Sequence, residues 1–117
     1  MTDAGGFDLD EISERARRAD LRWEAFQPGV EIHRLWGDPQ ASSAALLRYA
    51  AGSSVPRHRH EGIENVYVLS GAQQDERGVH AAGTHVVNPA GSSHAVSSPG
   101  GCVVLVVWER PNTWLEP

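Results

Sequence analysis

His58, His60, Glu64 and His94 are the residues of this 117-residue chain whose types and spacing could do chemistry together. In an extended strand successive side chains alternate faces, so His58 and His60 project to one side and can grip a single ion. Glu64 has the same parity. Gly62 permits a bend that returns the carboxylate toward the imidazoles, which a straight strand would carry away at about 3.3 Å per residue. His94 comes from a separate strand, after the tight turn signalled by Pro89, Gly91 and Ser92. Three imidazoles and a carboxylate suit zinc, iron, nickel, copper or manganese. An isolated His-x-His pair is also a common surface feature of edge strands, so the pair alone does not decide the matter.

The wider spacing is more specific. Five residues separate Gly52 from His58-x-His60, three separate His60 from Glu64, and six separate Glu64 from Gly71. A second block runs from Gly83 through five residues to Pro89-x-Gly91, then two residues to His94. This spacing resembles both motifs of the cupin superfamily with every anchor filled, except that Ser98 stands where the second motif commonly has Asn. That change bears on local hydrogen bonding and not on metal binding. The resemblance implies that His58, His60, Glu64 and His94 occupy the family's metal positions. A closer likeness runs from about Trp23 to Trp108, through Ala45-Leu-Leu-Arg-Tyr-Ala50, Val68-Leu-Ser-Gly71, Asn88-Pro-Ala-Gly-Ser-Ser-His94 and Gly101-Cys102. Over that span the chain is similar to the cupin domain of ChrR-type anti-sigma factors and of the small dioxygenase-like proteins grouped with them.

Several function classes are excluded by composition. The chain is one domain's worth, with 40% hydrophobic and 21% charged residues, and no apolar run approaches the ~20 residues of a membrane span. Its start does not resemble a secretory signal. Ten arginines, no lysine and a formal charge of −5 argue against nucleic acid as a partner. Absence of lysine also removes Schiff-base chemistry. The single cysteine, Cys102, excludes an intramolecular disulfide and a CxxC zinc site, and reads as a packed small hydrophobe in a cytoplasmic protein.

The elements that must position the four residues follow from strand patterning. Short β-prone runs at regular spacing, broken by Gly and Pro turns, indicate an all-β sandwich or small barrel. The resemblance sharpens this to a double-stranded β-helix, the cupin jelly-roll barrel, spanning residues 22–110. Residues 1–8 read as loosely attached, and residues 10–21 as a short helix or a frayed arm, capped by Asp8 or Asp10, with Ile12, Ala16 and Ala19 as a thin apolar face. Strands are expected over 23–26, 30–36, 44–50 and 65–70. Val66 and Val68 share Glu64's parity and face inward, whereas Tyr67 and Leu69 face outward and need cover. Asp75-Glu-Arg-Gly78 supplies a hairpin turn, and Cys102-Val-Val-Leu-Val-Val-Trp108 a buried strand. Pro111 is expected to end the ladder, leaving 111–117 as a tail whose Trp114 and Leu115 dock on the barrel or on a neighbouring subunit. His33 and His80 read as surface residues. His85 either reaches the cavity or lies on the surface.

Two functions fit these residues. One is a metal-dependent, dioxygenase-like oxidoreductase acting on a small organic substrate, with Glu64 as fourth ligand or catalytic base. The other is a non-catalytic zinc-binding, ligand-sensing module of the ChrR cupin type. Either takes one divalent ion per chain, zinc or iron(II), with nickel or manganese as further candidates. Sugar isomerisation, which other cupins perform, has no support in the sequence. With about 20 residues before the cupin region, a sigma-binding zinc domain is not expected. The outward apolar positions and four tryptophans predict a homodimer.

Overall fold

In the computed structural model, which describes residues 6, 8–18 and 20–115, one helix precedes ten antiparallel strands. The expectations for residues 1–5 and 7 and for the Ala19 contribution lie outside the described residues, as do the last two positions. Helix α1 spans Leu9–Arg17, shorter than the sequence suggests. It is capped by the Asp8 carboxylate, which accepts from the backbone N–H of Asp10 and Glu11. Ile12, Ser13 and Ala16 are its buried side, and the Arg48 guanidinium donates to the Ala16 carbonyl near its C-terminus, where a cation suits the helix dipole.

The strands are β1 (Glu24–Gln27), β2 (Val30–Gly37), β3 (Ser43–Tyr49), β4 (Ser53–Arg59), β5 (Glu64–Asp75), β6 (Gly78–Ala81), β7 (His85–Asn88), β8 (Ser93–Ser98), β9 (Cys102–Trp108) and β10 (Thr113–Trp114). They run in the order β1-β2-β3-β9-β5-β8-β4-β10, with β6 and β7 also on β5. The sheet curls into the expected jelly-roll barrel because β5 belongs to both walls. Its first half pairs with β9 and β7, and its last residues pair with β6 and β8. The corner falls at a bulge between Val68 and Ser70 and at Gly71, whose φ of +70° only glycine adopts readily. A Cβ there would meet the Gly101 carbonyl oxygen at 2.2 Å.

Strand pleating fills the barrel. Val30 and Ile32 of β2, Ala45, Leu47 and Tyr49 of β3, Val66 and Val68 of β5, and Val104, Val106 and Trp108 of β9 form one buried cluster with Val55, Val86, Val96 and Cys102. Burial raises the Cys102 pKa, so it stays a neutral thiol and packs as the sequence indicates. The inward assignment of Val66 and Val68 holds, and Tyr67 faces out, stacked on His85. Two expectations need correcting. The 65–70 strand extends to Asp75, since the corner lets it cross from wall to wall. Pro111 interrupts the ladder without ending it: Thr113 and Trp114 pair with Arg59 and His58 of β4.

Candidate metal centre

Two of the four chemical side chains, His58 and Glu64, are aimed by a specific irregularity. In β4 the register slips between Val55 and His58, which face Val96 and His94 of β8, so Pro56 and Arg57 together oppose Ala95. Proline, lacking an N–H, suits such a bulge. The slip turns His58 to the inner face already occupied by Val55, opposite His94. His60 lies just past β4, its backbone N–H donating to the Ser92 carbonyl. The chain then bends at Gly62, where any Cβ would meet Glu109 at 2.7–2.9 Å, and Glu64 opens β5 on the opposite wall. The carboxylate thus returns across the barrel, as the Gly62 bend predicts, by changing sheets.

The four residues lie together and are buried, with exposures of 4% for His58, 1% for His60, 5% for Glu64 and 5% for His94. One ligand atom from each falls within 4.8 Å of the others. The three imidazoles meet edge to face, with ring centroids 4.7–5.0 Å apart. Metal–ligand bonds of about 2.0–2.2 Å place ligand atoms ~3–4 Å apart, so a slight contraction lets one ion touch all four.

Hydrogen bonds set the tautomers. His58 Nδ1 donates to the Pro56 carbonyl at 2.8 Å, His60 Nδ1 to the Ser92 carbonyl at 3.0 Å, and His94 Nδ1 faces Asp75 Oδ2 at 2.8 Å. Each ring therefore presents a bare Nε2 to the centre. Those of His60 and His94 are buried with no hydrogen-bond partner, a costly state for polar atoms unless a cation completes them. Burial lowers the His58 and His94 pKa, favouring the neutral form that ligates. The donor set and its unpartnered nitrogens fit a divalent metal.

Glu64 is held from three sides. Its cross-strand neighbours are Trp108 and Asn88, and both reach it: Trp108 Nε1 donates to Oε2 at 2.6 Å and Asn88 Nδ2 to Oε1 at 2.8 Å. Asn112 Nδ2 adds a contact to Oε2 at 3.2 Å, and His60 Nε2 lies 3.3 Å from Oε1. Burial alone would raise the Glu64 pKa, but when the facing His60 and His58 rings carry a proton in place of a metal, they and the Asn112 amide bring it down to about 2. The carboxylate is ionised and fixed, in the state of a ligand.

Asp75, which the sequence presents only as a turn residue, supports the site. Its side chain is 3% exposed. Oδ2 accepts from His94, and Oδ1 accepts the Arg77 backbone N–H at 2.9 Å and faces His80 Nε2 at 3.1 Å. Against the cost of burial, the bonds from His94 and His80 hold its carboxyl well below the usual range. His80 is thus half-buried on Asp75, contrary to the surface expectation. His85 does not reach the cavity; it is exposed, stacked on Tyr67 and bonded to Asn65. His33 bonds to the Arg22 carbonyl, away from the cluster. Ser98 is fully buried and donates to the Ala72 carbonyl at 2.6 Å, tying β8 to β5.

The interior beside the cluster is small, about 20 Å³, bounded by Tyr49, Gln73, Phe26, Trp108, Asn112 and Trp114 among others. That is room for one water-sized molecule. Trp114 lies against His58 with ring centroids 5.5 Å apart and against Phe26 at 6.0 Å, so the C-terminal strand helps close the barrel.

Comparison with known proteins is consistent with this architecture. The ChrR Cupin-like domain family model matches residues 13–111. The anti-sigma-E factor ChrR of Cereibacter sphaeroides is 32% identical over 97 residues, 81% of this chain and 45% of the relative, so the chain spans less than half that protein's length. ChrR solved in complex with SigE from Rhodobacter sphaeroides superposes with a TM-score of 0.71 at 28% identity, covering 83% of this chain and 55% of that one. An acetylacetone dioxygenase from Acinetobacter johnsonii has the same fold, with a TM-score of 0.76 at 16% identity over 99% of this chain and 80% of that one.

Proposed function

This chain belongs to the ChrR cupin-like domain family, and we propose that it binds one divalent metal ion through His58, His60, Glu64 and His94 and acts there, as an oxygenase-like enzyme, on a small organic molecule. The observation that carries the reading is the convergence of three imidazoles, each presenting a bare Nε2, on one buried carboxylate. Iron(II) held by these residues would supply redox chemistry toward O₂. His58, His60 and His94 hold the ion and Glu64 is the fourth ligand. Three fixed donors on Glu64 support this role over that of a mobile base. Phe26, Trp108 and Trp114 exclude bulk water from the centre.

A zinc-holding, ligand-sensing module is the second reading, favoured by the narrowness of the interior and by four ready ligands, which leave a closed site little catalytic freedom. Protein prepared without a nickel column should contain close to one metal per chain, and a His58→Ala, His94→Ala double variant should contain none. The Fe(II) form should consume O₂ with a β-dicarbonyl, thiol or hydroxylated aromatic compound above the His94→Ala background. Zinc as the sole metal and no uptake with any of them would establish the second reading instead.

Self-association also belongs to this proposal. Ile63 and Val87 are 44% and 46% exposed, and Tyr67 and Leu69 are half-buried on the outside of the barrel, supporting a homodimer through the outer sheet face. A mass near 12.7 kDa by light scattering at micromolar concentration would refute it. Among the described residues no helix is long and apolar enough to cross a membrane.

A further inference from the structure

Arg34 is exposed near the end of β2, on the pleat that faces the barrel interior. On β2 it shares the pleat of Val30 and Ile32, both 1% exposed in the core, and its cross-strand partner is the fully buried Ala45. The pleat therefore turns this solvent-exposed side chain toward the barrel's open end, where the core stops. There it lines an outer cavity of about 140 Å³ with Phe26, Ser43, Trp108, Asn112 and Trp114. Phe26, Trp108, Asn112 and Trp114 also bound the small inner space beside His58, Glu64 and His94, so the two cavities share a wall.

No acidic residue lines the outer cavity, and among the described residues no carboxylate pairs with Arg34. Arg48, Arg57, Arg59 and Arg77, in contrast, each have one. What sets Arg34 apart is its place: an arginine without an ion-pair partner among the described residues that shares a cavity with Phe26, Trp108 and Trp114 beside a candidate metal site, in a chain of formal charge −5. Phe26 lies nearly parallel to Trp108, at 29° with centroids 6.4 Å apart, and is tilted against Trp114. These faces and edges suit a flat apolar body, and the guanidinium fork suits a carboxylate.

We propose that the barrel mouth binds a small planar monocarboxylate, its ring or conjugated body among Phe26, Trp108 and Trp114 and its carboxylate on Arg34. This names the substrate class of the metal site and rests on the reading that the site acts on a small molecule. The acid anchors at the outer cavity, and the uncharged end of the molecule points toward the wall shared with the cluster.

Titration of the full chain with benzoate, and with neutral benzamide of the same shape, tests this by following the indole N–H resonances of Trp108 and Trp114. Both proteins, native sequence and Arg34→Gln, are measured with one equivalent of Zn(II) and without metal. Benzoate should shift both resonances saturably and bind about tenfold more weakly to Arg34→Gln, the loss of one charge-assisted contact. Arg34→Lys should retain part of the affinity, and benzamide should bind weakly and equally to all forms. Equal binding of benzoate and benzamide, or benzoate affinity unchanged in Arg34→Gln, overturns the proposal, as does the absence of any saturable shift. Metal-loaded protein indifferent to carboxylates refutes this inference alone, whereas Arg34-dependent binding in protein that takes up no metal refutes the metal reading alone.

Discussion

Replacing Asp75 by Asn should weaken metal binding although Asp75 is not itself a ligand. Both its oxygens act as acceptors: Oδ2 takes the His94 Nδ1 proton at 2.8 Å, and Oδ1 takes the Arg77 backbone N–H at 2.9 Å. An amide has one acceptor and one donor, so either orientation sets an NH₂ against an N–H. If the NH₂ faces His94, the ring avoids the clash by moving its proton to Nε2, which then cannot ligate. If it faces Arg77, the turn that positions Asp75 loosens. Loss of such a supporting bond typically costs 10–100-fold in metal affinity, or about 1.4–2.7 kcal/mol. Competition with a chromophoric chelator, using Zn(II) at neutral pH, measures the dissociation constant directly. The neighbouring Glu76→Gln is the control; its exposed carboxylate pairs with Arg57, and its effect should stay within about 0.5 kcal/mol. An Asp75→Asn protein that binds Zn(II) within twofold of the native one would show that Asp75 does not orient His94.

Trp108→Phe removes the indole N–H that reaches Glu64 at 2.6 Å, and should destabilise the protein by about 1.5–3 kcal/mol, the worth of a bond to a charged group, in urea unfolding. Gly71→Ala forces a Cβ within 2.2 Å of the Gly101 carbonyl at a φ of +70°, and should lose about 2 kcal/mol or more. Gly100→Ala, with open space around it, should change stability by no more than about 0.5 kcal/mol. Metal-free protein should lose thermal stability on acidification in two windows. His58 and His94 have lowered pKa values when folded, so below about 6.5 the unfolded chain binds more protons and is favoured; Glu64, ionised down to about 2, adds a second loss as pH falls below its ordinary range. Metal-loaded protein should release its ion over the first of these windows as protons compete for the imidazoles, and a metal content independent of pH between 7 and 4 would contradict the ligand assignment.

That His58, His60, Glu64 and His94 could cluster was legible in the sequence because side-chain parity and glycine-marked turns are local properties. His58 and His60 lie two apart, Gly62 marks the bend, and Pro89 with Gly91 marks the turn before His94. The inward run of Val66 and Val68 follows from the same period of two. What surrounds the ligands depends on register, which residues distant in sequence decide jointly. Trp108 and Asn88 reach Glu64 only because β9 and β7 flank β5 at that residue. Asp75 reads as a turn former until the corner at Gly71 carries β5 to the wall beside β8, where its carboxylate meets His94. The C-terminal residues read as a tail because Pro111 stops a local ladder, and no local pattern shows that two residues later the chain finds the free edge of β4. Alternation alone would have placed His58 opposite to Val55; the bulge at Pro56 and Arg57 is what puts both inside. Parity and turns thus fixed which side chains could meet, while strand register and one bulge decided what orients them, what closes over them and which cation waits at the mouth.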